Sequence, residues 1–288
     1  MPVPYHENGY VLAWPETNLA PGPIFEPKAY IKKTSTILAQ LIKARSTATQ
    51  QSTDLTTTQK PNTIVYPISQ LTPLLQPDTS TELPAITHIL STLSSSNFAN
   101  SSWTFTAGYF NPDPSLTNLL VSAKSTNNTV ITAHPHANGF FGSKGVSGML
   151  PGAYTLLSRR FLDSAAKAGR ESDVTLREWK KGHVNEPGGW TYHAKGLWIA
   201  LNGEKEPSIS VVGSSNYTKR SYKLDLEVGG IILTSDEGLK RQLREERDGL
   251  GGENTSVVTR EDFNKSERRV GIKVRVAMWI VSLVGGAL

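Results

Sequence analysis

The chain has 288 residues, 38% hydrophobic and 19% charged, with a formal net charge of +5 and no cysteine. That is enough apolar material for one large domain or two small ones, and the lack of cysteine excludes disulfide scaffolds, thiolate zinc sites and cysteine nucleophiles. The positive excess suits anionic partners (phospholipid headgroups, phosphate substrates or nucleic acid) without choosing among them, and simple solubility accounts for it equally well.

Residues 1–28 are proline-rich and read as irregular. They show neither the basic-then-apolar layout of a secretory signal nor an Arg/Ser-rich amphipathic transit peptide. Ile31, Ile37, Leu38, Leu41 and Ile42 recur at helical spacing and predict a helix over 30–45. Residues 46–62, STATQQSTDLTTTQKPN, are polar and aperiodic and read as a disordered loop, so 1–62 is expected to form an N-terminal region apart from a domain over 63–288.

From Thr63 onward the pattern becomes regular. Strands are expected at 63–69, 103–110, 129–134, 174–180, 192–201, 208–214 and 226–234, and helices at 84–93, 115–124, 151–168, 216–223 and 236–248. Alternating strands and helices argue an α/β fold with a sheet between helices. Three strands in quick succession over 174–213 make a purely parallel sheet improbable, so a mixed sheet is expected. No internal repeat is present, and no apolar run approaches the ~20 residues needed to span a bilayer.

The candidate chemistry begins at His193-Ala194-Lys195. Residues two apart on a strand share a face, so an imidazole able to move a proton would stand beside a fixed cation. The next predicted strand ends in Gly213-Ser214-Ser215-Asn216, where serine and asparagine can point at one spot and the glycine lets the backbone turn close by. Glu227 follows at the start of a further strand, where a carboxylate could hold the second imidazole nitrogen and fix its tautomer. Together these groups suit a phosphate. Lys195, Asn216 and Ser214 would donate to its non-bridging oxygens, and His193 would act as nucleophile or general acid/base. No metal or cofactor is required, because lysine and amides supply the positive field. Each piece alone is commonplace; the three in this order are not.

His193-x-Lys195, Gly213-Ser-x-Asn216 and Glu227 resemble the HKD motif of the phospholipase D superfamily. The stretches 104–111 (TFTAGYFN), 137–154 (ANGFFGSKGVSGMLPGAY) and 190–198 (WTYHAKGLW) are similar, more narrowly, to the eukaryotic CDP-diacylglycerol–glycerol-3-phosphate 3-phosphatidyltransferases of that superfamily. The resemblance runs over roughly 63–280. The superfamily pattern places an aspartate five residues after the lysine, where this chain has Ala200; the narrower family tolerates that loss in its second motif. These enzymes carry two HxK half-sites, whereas this sequence contains one, so the chain resembles their C-terminal half.

The resemblance implies a phospholipase-D-like half with a mixed sheet flanked by helices. It implies transfer of the phosphatidyl group of CDP-diacylglycerol to glycerol 3-phosphate through a phosphohistidine, with His193 as proton donor and acceptor. Those two substrates and a membrane surface are the implied partners, nucleic acid is not, and the implied location is mitochondrial. Two other readings are a phospholipase-D-fold nuclease or phosphodiesterase, and a non-catalytic half-enzyme that binds lipid or a partner.

Other features are less pointed. The glycine-rich loop over 134–148 lies between a strand and a helix, where backbone amides can receive a phosphate. It matches neither G-x-G-x-x-G nor a Walker A motif. Asn138 and Lys144 on it are candidate contacts to CDP or glycerol phosphate, and a purely structural glycine loop is the plainer reading. His134 and His136 could bind a metal, but no acidic residue stands nearby in sequence, so none is expected. Residues 277–288, AMWIVSLVGGAL, are almost wholly apolar and could lie in a membrane interface with Trp279 at headgroup level, or pack into the core. The charged run at 239–247 reads as a solvated helix face.

Overall fold

The structure is a computed structural model that describes residues 2–6, 9–51 and 61–283. The chain divides into two compact units, residues 1–60 with 71–80, and residues 61–70 with 81–288.

In the first unit, β1 (Pro2–His6) and β2 (Gly9–Leu12) form an antiparallel hairpin, followed by α1 (Pro27–Gln51). The hairpin replaces the irregular segment expected from the prolines. The helix also runs six residues beyond its expected end, into the stretch read as disordered. Residues 46–51 lack an apolar stripe, yet they contain neither glycine nor proline, so nothing breaks the helix there. Residues 52–60 of the expected loop lie outside the described residues. Trp14 packs edge-on against Tyr30 at 5.7 Å and donates its indole N–H to the Ala20 carbonyl at 2.8 Å.

The second unit contains, in order, β3 (Thr63–Gln70), α2 (Glu82–Leu93), β4 (Ser102–Ala107), α3 (Pro114–Ser122), β5 (Asn128–Ala133), α4 (Leu150–Lys167), β6 (Val174–Trp179), β7 (Lys195–Ala200), β8 (Ile209–Gly213), α5 (Lys219–Lys223), β9 (Glu227–Thr234), α6 (Glu237–Leu250), β10 (Thr255–Val258) and α7 (Ile272–Leu283). One eight-stranded sheet results, in the order β10-β6-β5-β4-β7-β8-β9-β3. The β4–β5 and β5–β6 pairs are parallel and every other pair is antiparallel. Both parallel pairs have a long helix, α3 or α4, in the connection, as a parallel crossover requires, whereas the short α5 joins the antiparallel β8 and β9. The mixed sheet between helices expected from the sequence is therefore observed.

Central strands β5 and β7 are buried along almost their whole length, so they lack the apolar/polar alternation of a half-exposed strand. Edge strand β3 exposes Ile64, Val65 and Tyr66 and carries Pro67, a residue tolerated only where one side of the ladder is open. On one face, Ile86, Leu90 and Leu93 of α2 and Leu116 and Leu120 of α3 pack over Phe105 of β4. Phe105 meets Phe110 at 5.8 Å and Tyr217 at 5.0 Å, and Phe110 meets Phe161 of α4 at 4.9 Å. On the other face lies α6, whose Glu246 accepts from the Trp198 indole at 3.2 Å. Caps fix the helix starts: Asp113 accepts from the Ser115 N–H beside Pro114, and Asp236 from the Leu239 N–H at 2.7 Å.

Several boundaries differ from expectation. β4 stops at Ala107 rather than 110, and β7 begins at Lys195 rather than 192. The four-residue β10 was not foreseen, and the apolar C-terminal stretch enters α7. The register brings one end of the sheet into focus. Ala107 lies opposite Lys195, Ala133 opposite Trp179, Gly213 opposite Gly229, and Gln70 opposite Glu227. The loops after β4, β5, β6 and β8 and before β7 and β9 therefore open at the same end.

Phe105, with no exposed surface, sits where β4, α3, α4 and the Tyr217 turn meet. Phe105→Ala should lower unfolding free energy by about 3–5 kcal/mol in urea titration. A loss below about 1 kcal/mol would contradict this packing.

Candidate active site

Lys195 opens β7, and its ammonium donates to the His193 carbonyl at 2.9 Å. His193 lies in the non-strand segment just before β7, not on the strand. The same-face argument for the pair therefore does not apply, and the two are juxtaposed by a side-chain-to-backbone bond instead. Burial, with the Lys195 charge as a second cause, lowers the His193 pKa from its ordinary value. A neutral imidazole is thus favoured, the form needed for attack or proton abstraction. Burial also lowers the Lys195 pKa, and the charge of Glu227 opposes that effect.

Close packing holds the His193 segment. A Cβ on Gly108 would lie 2.6 Å from the Tyr192 carbonyl and 3.2 Å from the His193 Cα, so only glycine lets β4 pass beneath it. The Tyr109 ring stands edge-on to His193 at 5.5 Å and also packs against Phe140 and Tyr154. The loop at 137–141 thereby reaches the His193 neighbourhood through Tyr109.

Glu227, buried at the start of β9, accepts a short hydrogen bond from the Ser214 hydroxyl. The Ser214 oxygen in turn accepts from the Val228 N–H at 3.2 Å. Ser214 thus couples the end of β8 to the start of β9, and in this arrangement its proton is directed at the carboxylate. Among the described residues no hydrogen bond joins Glu227 to His193; the charge of Glu227 acts instead on Lys195. The strands come this close because a Cβ on Gly213 or Gly229 would meet the opposite backbone at 2.8 and 2.7 Å.

Asn216 follows, and its side-chain oxygen is buried without a hydrogen-bond partner. Its position is set by Tyr217, whose backbone is left-handed at φ 58° although it is not glycine. That conformation costs on the order of 1–3 kcal/mol. The Ser215 hydroxyl accepts from the Tyr217 N–H, the Tyr217 carbonyl accepts from the Asp113 N–H, and the Tyr217 ring is sunk against Phe105. Strain maintained this firmly beside Asn216 marks the turn as a positioning element.

Glu82, at the start of α2, was not foreseen. It is buried to 1% exposure, and its pKa is pushed up to about 7 chiefly by burial, with the Glu227 charge adding to that and the Ser215 and Tyr222 hydroxyls opposing. Two carboxyl groups, Glu82 near Ser215 and Glu227 bonded by Ser214, therefore underlie the turn after β8. In the sequence Glu82 looks like an ordinary acidic residue in a first helical turn, so no local signal distinguishes it.

The remaining candidates lie on the loop after β5. Asn138 is buried, and its side-chain oxygen accepts from the Phe140 N–H at 3.0 Å, shaping the loop from within. Lys144 is exposed on the same loop. Among the described residues no cluster of three or more His, Cys, Asp or Glu side chains could hold a metal ion.

No protein-family profile matches the chain. It is 42% identical over 278 residues to the CDP-diacylglycerol–glycerol-3-phosphate 3-phosphatidyltransferase of Saccharomyces cerevisiae, an alignment covering 94% of this chain and 52% of the yeast protein. It is 32% identical over 217 residues to the human protein named as the mitochondrial form of that transferase, covering 75% of this chain and 36% of the human one. The chain thus spans about half the length of the curated relatives it matches. Among solved structures it is similar to the phosphatidylserine synthase of Haemophilus influenzae Rd KW20, with a TM-score of 0.59 and 19% identity over 78% of this chain and 47% of that one. This last likeness shows a shared fold.

Glu82 has a sign-definite consequence. Its carboxyl holds a proton in the folded state up to about pH 7, whereas in the unfolded chain it ionises near ~4.3. Below both values it contributes no pH dependence. Between them the unfolded state releases the proton first, and stability falls by at most roughly 1.4 kcal/mol per pH unit before levelling off. Glu82→Gln should flatten the decline in unfolding free energy between about pH 4.5 and 7. An unchanged decline would show that Glu82 is not the buried acid responsible.

Proposed function

We propose that this chain supplies one half-site of a CDP-diacylglycerol–glycerol-3-phosphate 3-phosphatidyltransferase, with His193, Lys195, Asn216 and Glu227 as its catalytic groups. The observation that carries the reading is the meeting of Lys195, Glu227, Ser214 and the His193 segment at one sheet end, in a chain 42% identical to half of such a transferase.

In the reaction, an imidazole nitrogen attacks the phosphatidyl phosphorus of CDP-diacylglycerol. The bond to the CMP oxygen breaks and its electron pair leaves with CMP, giving a phosphohistidine. The hydroxyl of glycerol 3-phosphate then attacks that phosphorus, the P–N bond breaks, and phosphatidylglycerophosphate leaves. The nucleophile belongs to the other half-site, which these 288 residues do not contain, since His193-x-Lys195 is the one HxK in the sequence. His193 then donates a proton to departing CMP and accepts one from the attacking hydroxyl. Its lowered pKa favours the accepting step. Lys195 and the Asn216 amide face the non-bridging oxygens, where negative charge grows. Glu227, neutralised in part by Lys195 and tied to Ser214, keeps the ammonium in place. Ser214 reaches substrate only by releasing Glu227, so its contribution is chiefly to position it. Asn138 shapes the loop that brings Phe140 to Tyr109, and Lys144 meets the nucleotide or glycerol phosphate from the loop surface.

The lipid donor calls for work at a membrane surface. Ile272, Val276, Trp279, Ile280 and Leu283 are all exposed and spaced along one side of α7, with Lys273 and Arg275 on the same helix for anionic headgroups. None of the described helices is long and apolar enough to cross a membrane, so the contact proposed is interfacial. A mitochondrial location follows the name of the human relative.

The test is reconstitution with CDP-diacylglycerol liposomes and labelled glycerol 3-phosphate, using a protein that carries both half-sites. His193→Asn should lower turnover by about two to four orders of magnitude. Near-normal turnover in that variant would refute the assignment, and nicking of DNA without lipid product would favour a nuclease.

A further inference from the structure

Beyond the His193 site, the same sheet end holds a second concentration of donors. β5 delivers His134 and His136, and β6 delivers Lys180, at neighbouring strand ends. With Arg268, Arg269 and the first turns of α4, they enclose a cavity of about 450 Å³.

The charges in this wall do not balance. Glu178 is buried to 2% exposure and receives both guanidinium N–H groups of Arg268 at 2.8 Å each. Its negative charge is therefore already matched. His134 Nδ1 accepts from the His136 backbone N–H at 3.1 Å, which places the ring proton on Nε2, 4.0 Å from Glu178. Burial first, then the surrounding cations, hold the His134 pKa down to about 3, so it stays neutral. The Lys180 ammonium lies 3.3 Å from His136 Nδ1 and can only donate there, leaving the His136 Nε2–H as a donor. The His183 ring packs on His136 at 4.2 Å, and Glu186 is the acidic group that acts on His136 from that side. Lys180 and Arg269 then remain toward the cavity against Glu267. The 18-residue α4 adds the partial positive charge of its N-terminus.

A cation does not fit here, because the Lys180 ammonium occupies the lone pair of His136. An anion that accepts several hydrogen bonds does. The cavity is also tied to the first site: the Ala137 carbonyl accepts from the Tyr192 N–H at 2.9 Å, and Tyr192 directly precedes His193. A transfer to glycerol 3-phosphate requires such an arrangement, since the acceptor carries a phosphomonoester that does not react and must be held apart from the reacting phosphorus. We propose that the cavity bounded by His136, Lys180, Arg268 and Arg269 binds a phosphomonoester dianion and seats the non-reacting phosphate of the acceptor. The seating of the acceptor rests on the transfer reaction above; the anion site does not.

Histidine side-chain NMR on the full chain separates the two parts. Inorganic phosphate, glycerol 3-phosphate, CMP and glycerol are titrated while the His136, His183 and His193 signals are followed. Inorganic phosphate and glycerol 3-phosphate should both shift His136 and His183, and glycerol should not. Lys180→Gln and Arg269→Gln should each weaken the affinity read at His136 by tenfold or more, and Lys205→Gln, outside this wall, should not change it. Arg268 is left intact because it also neutralises Glu178. Phosphate shifts confined to His193, or affinities at His136 insensitive to both substitutions, would overturn the anion site. Shifts at His136 produced by CMP but not by glycerol 3-phosphate would overturn the acceptor assignment. Since the readout needs no turnover, failure of the transfer reaction itself would leave these signals unchanged.

Discussion

A buried carboxylate, Glu227, bonded by Ser214 and acting through its charge on the half-buried ammonium of Lys195, organises this end of the molecule. Burial makes the Lys195 charge costly and lowers its pKa, and the charge of Glu227 opposes that effect without cancelling it. The pair exists because β7 and β9 start at the same sheet end, on either side of β8. Glycines at 213 and 229 let β8 and β9 close to contact distance. Ser214 completes the arrangement by bonding Glu227 from the end of β8. The Lys195 ammonium itself is oriented by its bond to the His193 carbonyl, which is the preorganisation that charge stabilisation requires.

Behind that pair the interior is more acidic than the surface suggests. Glu82 and Glu227 act on one another, and burial leaves Glu82 protonated near neutral pH. The neutral acid lets a second carboxyl group pack near Glu227 without a second cation. The left-handed Tyr217 serves the same end by a different route. Its ring is locked into the core, its backbone is tied to Asp113 and Ser215, and Asn216 is carried to the rim. Further along the same sheet end, Arg268 neutralises Glu178 while Lys180 and Arg269 remain toward open space. The sheet thus offers anions two adjoining positions from a single row of strand ends.

Much of this was legible in the letters, for physical reasons that differ by element. Strands β5 and β7 show because they are covered almost throughout, and α2, α3 and α4 show because their buried faces repeat at helical spacing, while α6 shows by its charged run. β10 and the β1–β2 hairpin are four or five residues long, too short for either period to register. His193, Lys195, Asn216 and Glu227 stand out together because their residue types and order suit a phosphate. His193 was nonetheless expected on the strand, since an extended segment and a paired strand have the same side-chain alternation. The left-handed Tyr217, the acid Glu82 and the inward turn of Asn138 left no trace in the sequence, because each depends on what folds against it. The HPH stretch by itself suggests no more than an improbable metal pair. Its partner Lys180 comes from the neighbouring strand, and only the β5–β6 register reveals it.

In the function proposed above, the groups of the His193 half-site face one tetrahedral anion. The most direct measurement is a crystal structure of this chain soaked with tungstate, a dense phosphate analogue, read by anomalous scattering. A tungstate peak within hydrogen-bonding distance of the His193 imidazole, the Lys195 ammonium and the Asn216 amide is the predicted result. A well-occupied tungstate elsewhere, with those three side chains turned apart and the position between them empty, would contradict it.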